Sequence, residues 1–191
     1  GAGGGSKAAV DAVDLKHRRE RNMGANLALH YRDDPLVIVE GHGCYLYDAN
    51  GRSYLDAVNN VAHVGHSHPK VAKALADEAF RLQTNSRYLH PMRQHYIDRL
   101  LATLPEELDT IFLVCTGSEA NDLALRIARE TSPHDDIITL DHAYHGHSTL
   151  LVDVSPYKYR QSVDYKKGVF RTKDFAHVVD CPDTYRGDHR G

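Results

Sequence analysis

Ile111-Phe112-Leu113-Val114-Cys115-Thr116-Gly117-Ser118-Glu119-Ala120-Asn121-Asp122 is the stretch on which the fold turns. An apolar run passes through a turn of small residues into alanine- and leucine-rich sequence, which predicts a buried strand over 110–115 and a helix over 117–130. Such a junction leaves the backbone N–H groups of Gly117, Ser118 and Glu119 without intrahelical acceptors at the positive end of the helix dipole. An anion, and a phosphate above all, is well served there. The same residues also spell a capping box, with Thr116 as the cap and Glu119 three positions on, and a capping box needs no ligand.

Downstream, residues 136–140 read as a second strand, so the stretch opens a strand–helix–strand unit and a parallel sheet that begins near residue 110. Leu140-Asp141-His142-Ala143-Tyr144-His145-Gly146-His147 follows that strand directly. Open α/β sheets hold their ligands at the carboxyl ends of the strands, which places this loop and the Gly117 turn on one crevice. Tyr144 could there lay its ring on a flat heteroaromatic molecule, or simply pack with its hydroxyl in water. A single such unit leaves most of a parallel sheet uncovered. The chain is therefore expected to be a piece of a longer protein.

Upstream the texture is that of a smaller lobe. Residues 10–31 suggest a loosely amphipathic, partly exposed helix, whose Lys16-His17-Arg18-Arg19-Glu20-Arg21 run reads as a solvated face or a short polyanion patch. Residues 36–40, 44–48 and 52–56 form a predicted β-meander, with Asn50-Gly51 as the turn signal. Helices are expected to start at Pro69 and near Pro91, because proline suits the first helical position. Gln83-Thr84-Asn85-Ser86-Arg87-Tyr88-Leu89-His90 lies between them as a polar loop, either a surface connection or a substrate wall. The expected organisation is a linker or cloning remnant over the glycine-rich residues 1–9, an arm and small lobe over 10–106, and an incomplete α/β domain over 107–191.

Composition narrows the function classes. The 191 residues are 41% hydrophobic and 26% charged with a formal net charge of -3, so neither disorder nor nucleic-acid binding is indicated. Nothing approaches the roughly 20 consecutive apolar residues of a membrane span, and no secretory leader opens the chain. Cys44, Cys115 and Cys181 are scattered and odd in number, which argues against a disulfide framework and for a reducing, cytoplasmic setting. Fourteen histidines invite a metal reading, with His63, His66 and His68 in one group and His142, His145 and His147 in another, as in a zinc or iron hydrolase. Against it, the known ligand spacings are missing and Pro69 marks the first group as a helix start. A third alternative is a non-catalytic assembly module that pairs its open sheet with another copy.

Taken together, the meander ending in Tyr54-Leu55-Asp56, the Gly65-His66-Ser67-His68-Pro69 turn, Gly117-Ser118-Glu119-Ala120-Asn121 and Tyr144-His145-Gly146 resemble the N-terminal part of the class III aminotransferases, fold-type I enzymes that use pyridoxal 5'-phosphate (PLP). Within that family the sequence is most similar to the ethanolamine-phosphate phospho-lyase branch, through Asn60-Val61-Ala62-His63-Val64-Gly65-His66, Thr84-Asn85-Ser86-Arg87-Tyr88-Leu89-His90, Asp141-His142-Ala143-Tyr144-His145-Gly146-His147 and Pro182-Asp183-Thr184-Tyr185-Arg186-Gly187.

The resemblance implies a fold and a set of roles. Residues 107–191 would begin the large PLP-binding domain, with a parallel or mixed sheet as in aspartate aminotransferase. Gly117 and Ser118, with Glu119 beside them, would hold the PLP phosphate; Tyr144 would stack on the pyridine ring, and His145 would sit on its substrate side. Asn60, Arg87, Tyr88 and Arg186 would line the substrate entrance, in part across the interface of a homodimer or larger homo-oligomer. The substrate would be a small primary amine, whose amino group is passed to a keto acid or which, if it is an O-phosphorylated amino alcohol such as ethanolamine phosphate, is cleaved by loss of phosphate. The family's Schiff-base lysine and the aspartate paired with the pyridine nitrogen have no counterpart in these residues, so no catalytic residue is assigned and the isolated chain is expected to be inactive.

Overall fold

The protein is described by a computed structural model, which covers residues 11–24, 26–59, 63–159, 166 and 173–187. Backbone contacts divide the chain into two units, one ending at Leu89 and the other starting at His90.

In the first unit, α1 (Ala12–Asn22) starts where the Asp11 carboxylate accepts the N–H groups of Val13 and Asp14. It is shorter than the helix expected over 10–31. The predicted meander is present as β1 (Ile38–His42), β2 (Tyr45–Asp48) and β3 (Ser53–Leu55), all antiparallel. Its second turn is organised by Asp48, whose carboxylate accepts the N–H groups of Asn50 and Arg52 and the Tyr54 hydroxyl, while Gly51 takes a φ of +82°. Helix α2 (Pro69–Arg81) starts at its proline as expected.

A clasp joins the start of α2 to the meander. Gly43 and His66 exchange backbone hydrogen bonds of 3.1 and 2.7 Å, and the His66 ring bonds to the Asp56 carboxylate at 2.6 Å. Gly65 is required here: its φ is +82°, and a Cβ would lie 2.8 Å from the Gly43 carbonyl oxygen. Asp56 also accepts the N–H groups of Val58 and Asn59, and these bonds, the one from Asn59 first and then the His66 contact, hold its carboxyl well below the ordinary value of 3.8. The glycine–histidine turn quoted in the sequence is thus a structural joint.

The second unit holds α3 (Pro91–Leu101), α4 (Gly117–Thr131), β4 (Ile137–Leu140), α5 (Thr149–Asp153), α6 (Pro156–Tyr159) and β5 (Ala176–Val179). Helix α4 ends where Thr131 turns its hydroxyl back onto the carbonyls of Ile127 and Ala128 and Pro133 follows. The strand expected over 110–115 is not formed: no described segment runs beside it to complete a ladder, and Phe112, Leu113 and Val114 stay exposed. Parallel pairing occurs one step later, between β4 and β5 in the register Ile137↔Ala176 to Leu140↔Val179. The buried core lies under this pair, where Leu151, Val154 and Ala176 are packed by Leu125, Ile137 and Phe175.

Candidate functional site

The first turn of α4 is closed on one side and open on the other. Thr116 Oγ1 accepts the Glu119 N–H at 3.1 Å, and the Glu119 carboxylate accepts the N–H groups of Thr116 and Cys115 at 3.0 and 2.7 Å. The capping box is therefore real, and the Glu119 N–H is not available to a ligand. The N–H groups of Gly117 and Ser118 have no acceptor among the described residues, and a Cβ on Gly117 would meet nothing within 4 Å. Two donors at the positive end of a helix are thus left without an acceptor among the described residues, beside open space at Gly117. The Ser118 hydroxyl accepts only a long bond of 3.4 Å from the His147 N–H, which leaves its own proton to donate.

The loop after β4 is bound to this turn. Gly146 takes a φ of +132°, and a Cβ there would lie 2.6 Å from Ser118 Oγ and 2.6 Å from Leu151 Cδ1. Only glycine permits the approach. Asn121 donates its amide to the His145 carbonyl at 2.7 Å, and Ser148 donates to Asp122 at 2.8 Å, so two further side chains of α4 hold the loop. Tyr144, half exposed, meets Tyr157 edge to face with centroids 6.3 Å apart. The sequence expectation that the Gly117 turn and the Tyr144 loop adjoin is met. Asn121, Thr139, Ser148 and Ser155 were not assigned roles from the sequence; Asn121 alone carried a signal, as the last letter of the Gly-Ser-Glu-Ala-Asn run.

His145 points away from the open side. Its ring Nε2 bonds to the buried hydroxyl of Thr139 on β4 at 2.8 Å, and its N–H donates to Ser155 Oγ at 3.0 Å. Arg186 lies elsewhere, on a cavity of about 990 Å³ at the carboxyl ends of β4 and β5 that Asp141, His142, Asp180 and Asp183 also line. Its guanidinium is 3.4 Å from Asp183, whose carboxyl is held low first by the N–H of Arg186 and then by that of Tyr185. Gly117, Ser118 and Tyr144 do not line this cavity. Arg87 and Tyr88 are exposed residues of the first unit, in a turn where Asn85 accepts the Arg87 N–H. Asn60 lies outside the described residues.

The metal hydrolase finds no support. Among the described residues no group of three or more histidine, cysteine, aspartate or glutamate side chains could hold an ion. His66 and His145 are each engaged by a partner of another kind, Asp56 and Thr139. Nor is any helix among the described residues long and apolar enough to cross a membrane.

The sequence profile of "Aminotransferase class-III" matches residues 28–186. An alanine–glyoxylate aminotransferase 2-like protein of Drosophila melanogaster is 47% identical over 169 residues, 88% of this chain and 33% of its own length. Ethanolamine-phosphate phospho-lyase homolog 1 of Caenorhabditis elegans is 40% identical over 177 residues, 93% of this chain and 37% of its own. Among solved structures, a phospholyase from Arthrobacter in complex with phosphoethanolamine superposes with a TM-score of 0.79 at 34% identity, over 90% of this chain and 38% of that one. The chain thus spans about a third of the length of these relatives. By its sequence and its fold the chain belongs to the class III aminotransferases, a PLP-dependent family with the fold-type I architecture.

Proposed function

We propose that these residues form the phosphate cradle and ring platform of a PLP enzyme that acts on a small primary amine, and that the catalytic lysine is supplied from outside them. The single observation that carries this reading is the pair of unclaimed N–H groups at Gly117 and Ser118, open to solvent at the start of α4. They would bind the phosphate with the Ser118 hydroxyl, by charge-assisted hydrogen bonds that are roughly twice as strong as neutral ones. Tyr144, braced at its edge by Tyr157, would cover one face of the pyridine ring and keep water from it. Bound PLP supplies an electron sink that makes the C–H beside the substrate nitrogen acidic.

For the outcome, we favour elimination of phosphate from an O-phosphorylated amino alcohol over transamination. The similarity to proteins named as phospho-lyases supports this. Arg87 or Arg186 would then meet the substrate's phosphate, Arg186 only by giving up its contact with Asp183, with Tyr88 and Asn60 as further lining, in a homodimer. The three cysteines, all unpaired and exposed, agree with a cytoplasmic setting. Product analysis of the full-length protein tests the choice: with O-phosphoethanolamine and water it should release phosphate, ammonia and acetaldehyde in equal amounts. If amine passes only to a keto acid, the transaminase reading takes its place, and if neither occurs the functional proposal fails. The isolated 191-residue chain should develop no durable visible band on adding PLP. A stable band that disappears when one of its lysines is substituted would contradict the placement of the lysine outside it.

A further inference from the structure

His145 makes three hydrogen bonds, and each goes to a different element. Its N–H donates to Ser155, at the junction of α5 and α6; its carbonyl accepts from Asn121 on α4; its ring meets Thr139 on β4. Thr139 is 5% exposed and Ser155 is 2% exposed, so two of the three partners are inside the protein. Ser155 is itself fixed, donating to the Leu151 carbonyl at 2.6 Å. Two of these bonds fix the backbone of residue 145 and one fixes its ring, and turning the ring toward the open side would strand the Thr139 hydroxyl in the core.

Of the residues on either side of His145, Tyr144 is exposed and Gly146 is buried against the start of α4. Tyr144 precedes it with its ring half exposed, and Gly146 follows it at the closest approach to Ser118. Any rotation of the residue-145 backbone would swing the Tyr144 ring and lift Gly146 off the start of α4 together. We propose that His145 is a positioning residue, locked through its imidazole to the buried hydroxyl of Thr139, and that it acts on PLP only through Tyr144 and Ser118. This rests on the cradle reading above, and it gives His145 a different place from the substrate side that the family resemblance implies. The Thr139–His145 pair is accordingly part of the cofactor machinery although neither side chain touches the cofactor.

The full-length protein provides the test, with Thr139→Val, Thr139→Ser, His145→Leu and the Thr139→Val/His145→Leu double variant. Thr139→Val keeps the shape and deletes the hydroxyl. It should speed exchange of the His145 amide proton and weaken PLP retention, each by about tenfold, because the His145 ring loses its Thr139 partner. The visible circular dichroism of the bound cofactor should change in the sense produced by Tyr144→Leu, and Thr139→Ser should restore all three readouts. His145→Leu should match Thr139→Val, the double variant should be no worse than either single one, and the pH profile of kcat should keep its inflections throughout. The proposal is overturned if Thr139→Val leaves exchange, dichroism and retention at wild-type values. It is equally overturned if His145→Leu removes an inflection that Thr139→Val preserves, since His145 would then be exchanging protons with substrate. Should the wild type bind no PLP, the cradle reading fails instead, and amide exchange at His145 decides by itself whether Thr139 holds the turn.

Discussion

The meander and α2 of the first unit differ from the α4–β4–α5–β5 cluster of the second in what they rest on. Among the described residues of the first unit none is buried, and α2 presents Val71, Leu75 and Phe80 at 54, 72 and 94% exposure. Its order comes from polar devices: Asp48 inside a turn, Asp56 and His66 in the clasp, and Gly65 where two backbone segments touch. The second unit has a small apolar core, and the Tyr144–Gly146 loop sits directly on it, with Gly146 against the fully buried Leu151. A loop that must hold a ring and a phosphate in fixed relation gains from such a floor, because buried side chains in close packing cannot drift. An amphipathic helix with its apolar face uncovered has no comparable support.

Substitutions in the two regions should reflect this. The largest effect is expected from Gly146→Ala, which adds a Cβ at a φ of +132° and at 2.6 Å from both Ser118 and Leu151. Backbone strain and overpacking together should cost about 4 kcal/mol, read by urea unfolding of the second unit's signal, with loss of PLP uptake. Leu151→Ala should follow at about 3 kcal/mol, since the side chain is fully buried. If it proves harmless, the floor under the loop is not what holds it.

The clasp of the first unit should respond to acid instead. Asp56 has its pKa lowered in the folded state, so the stability it adds is complete above the unfolded carboxylate value near 3.8 and is lost as pH falls below it. Protection of the Gly43 and His66 amides, taken relative to the intrinsic exchange rate at each pH, should therefore fall in acid, and in Asp56→Asn this fall should be absent. The smallest effect is expected from Leu75→Ala on α2, within about 0.5 kcal/mol in the isolated chain, as for other surface changes. A cost of several kcal/mol in the full-length protein would show that α2 acquires a cover there, and the contrast between the regions would then belong to these residues alone.

How much of this was legible in the sequence depended on whether the signal was local. Asn50-Gly51, Pro69 and Pro91 each dictate backbone geometry within a few residues, and the turn and both helix starts lie where they predict. Thr116 and Glu119 likewise spell their own capping box. The strand predicted over 110–115 does not form because an apolar run specifies a preference and a strand needs a neighbour. Strand β5 is not legible because the four residues Ala176-His177-Val178-Val179 are too few to show a period. In the site, glycine-rich turns and a stacking tyrosine have recognisable patterns, but Thr139 and Ser155 are ordinary hydroxyl residues whose role arises only when the loop folds back across them.

The central claim is that the N–H groups at the start of α4 hold the phosphate of PLP, and Gly117→Pro in the full-length protein tests it most directly. Proline is favoured at the first helical position, and Thr116 at φ -142° and ψ 159° already has the extended backbone that precedes proline well, so the helix should remain while one donor is deleted. Affinity for PLP and for pyridoxal, which lacks the phosphate, should be measured side by side. The account predicts that PLP binding falls about tenfold or more while pyridoxal binding is unchanged, as for a lost hydrogen bond to a charged group. Equal PLP affinity in the variant and the wild type, with the helix intact, would contradict it.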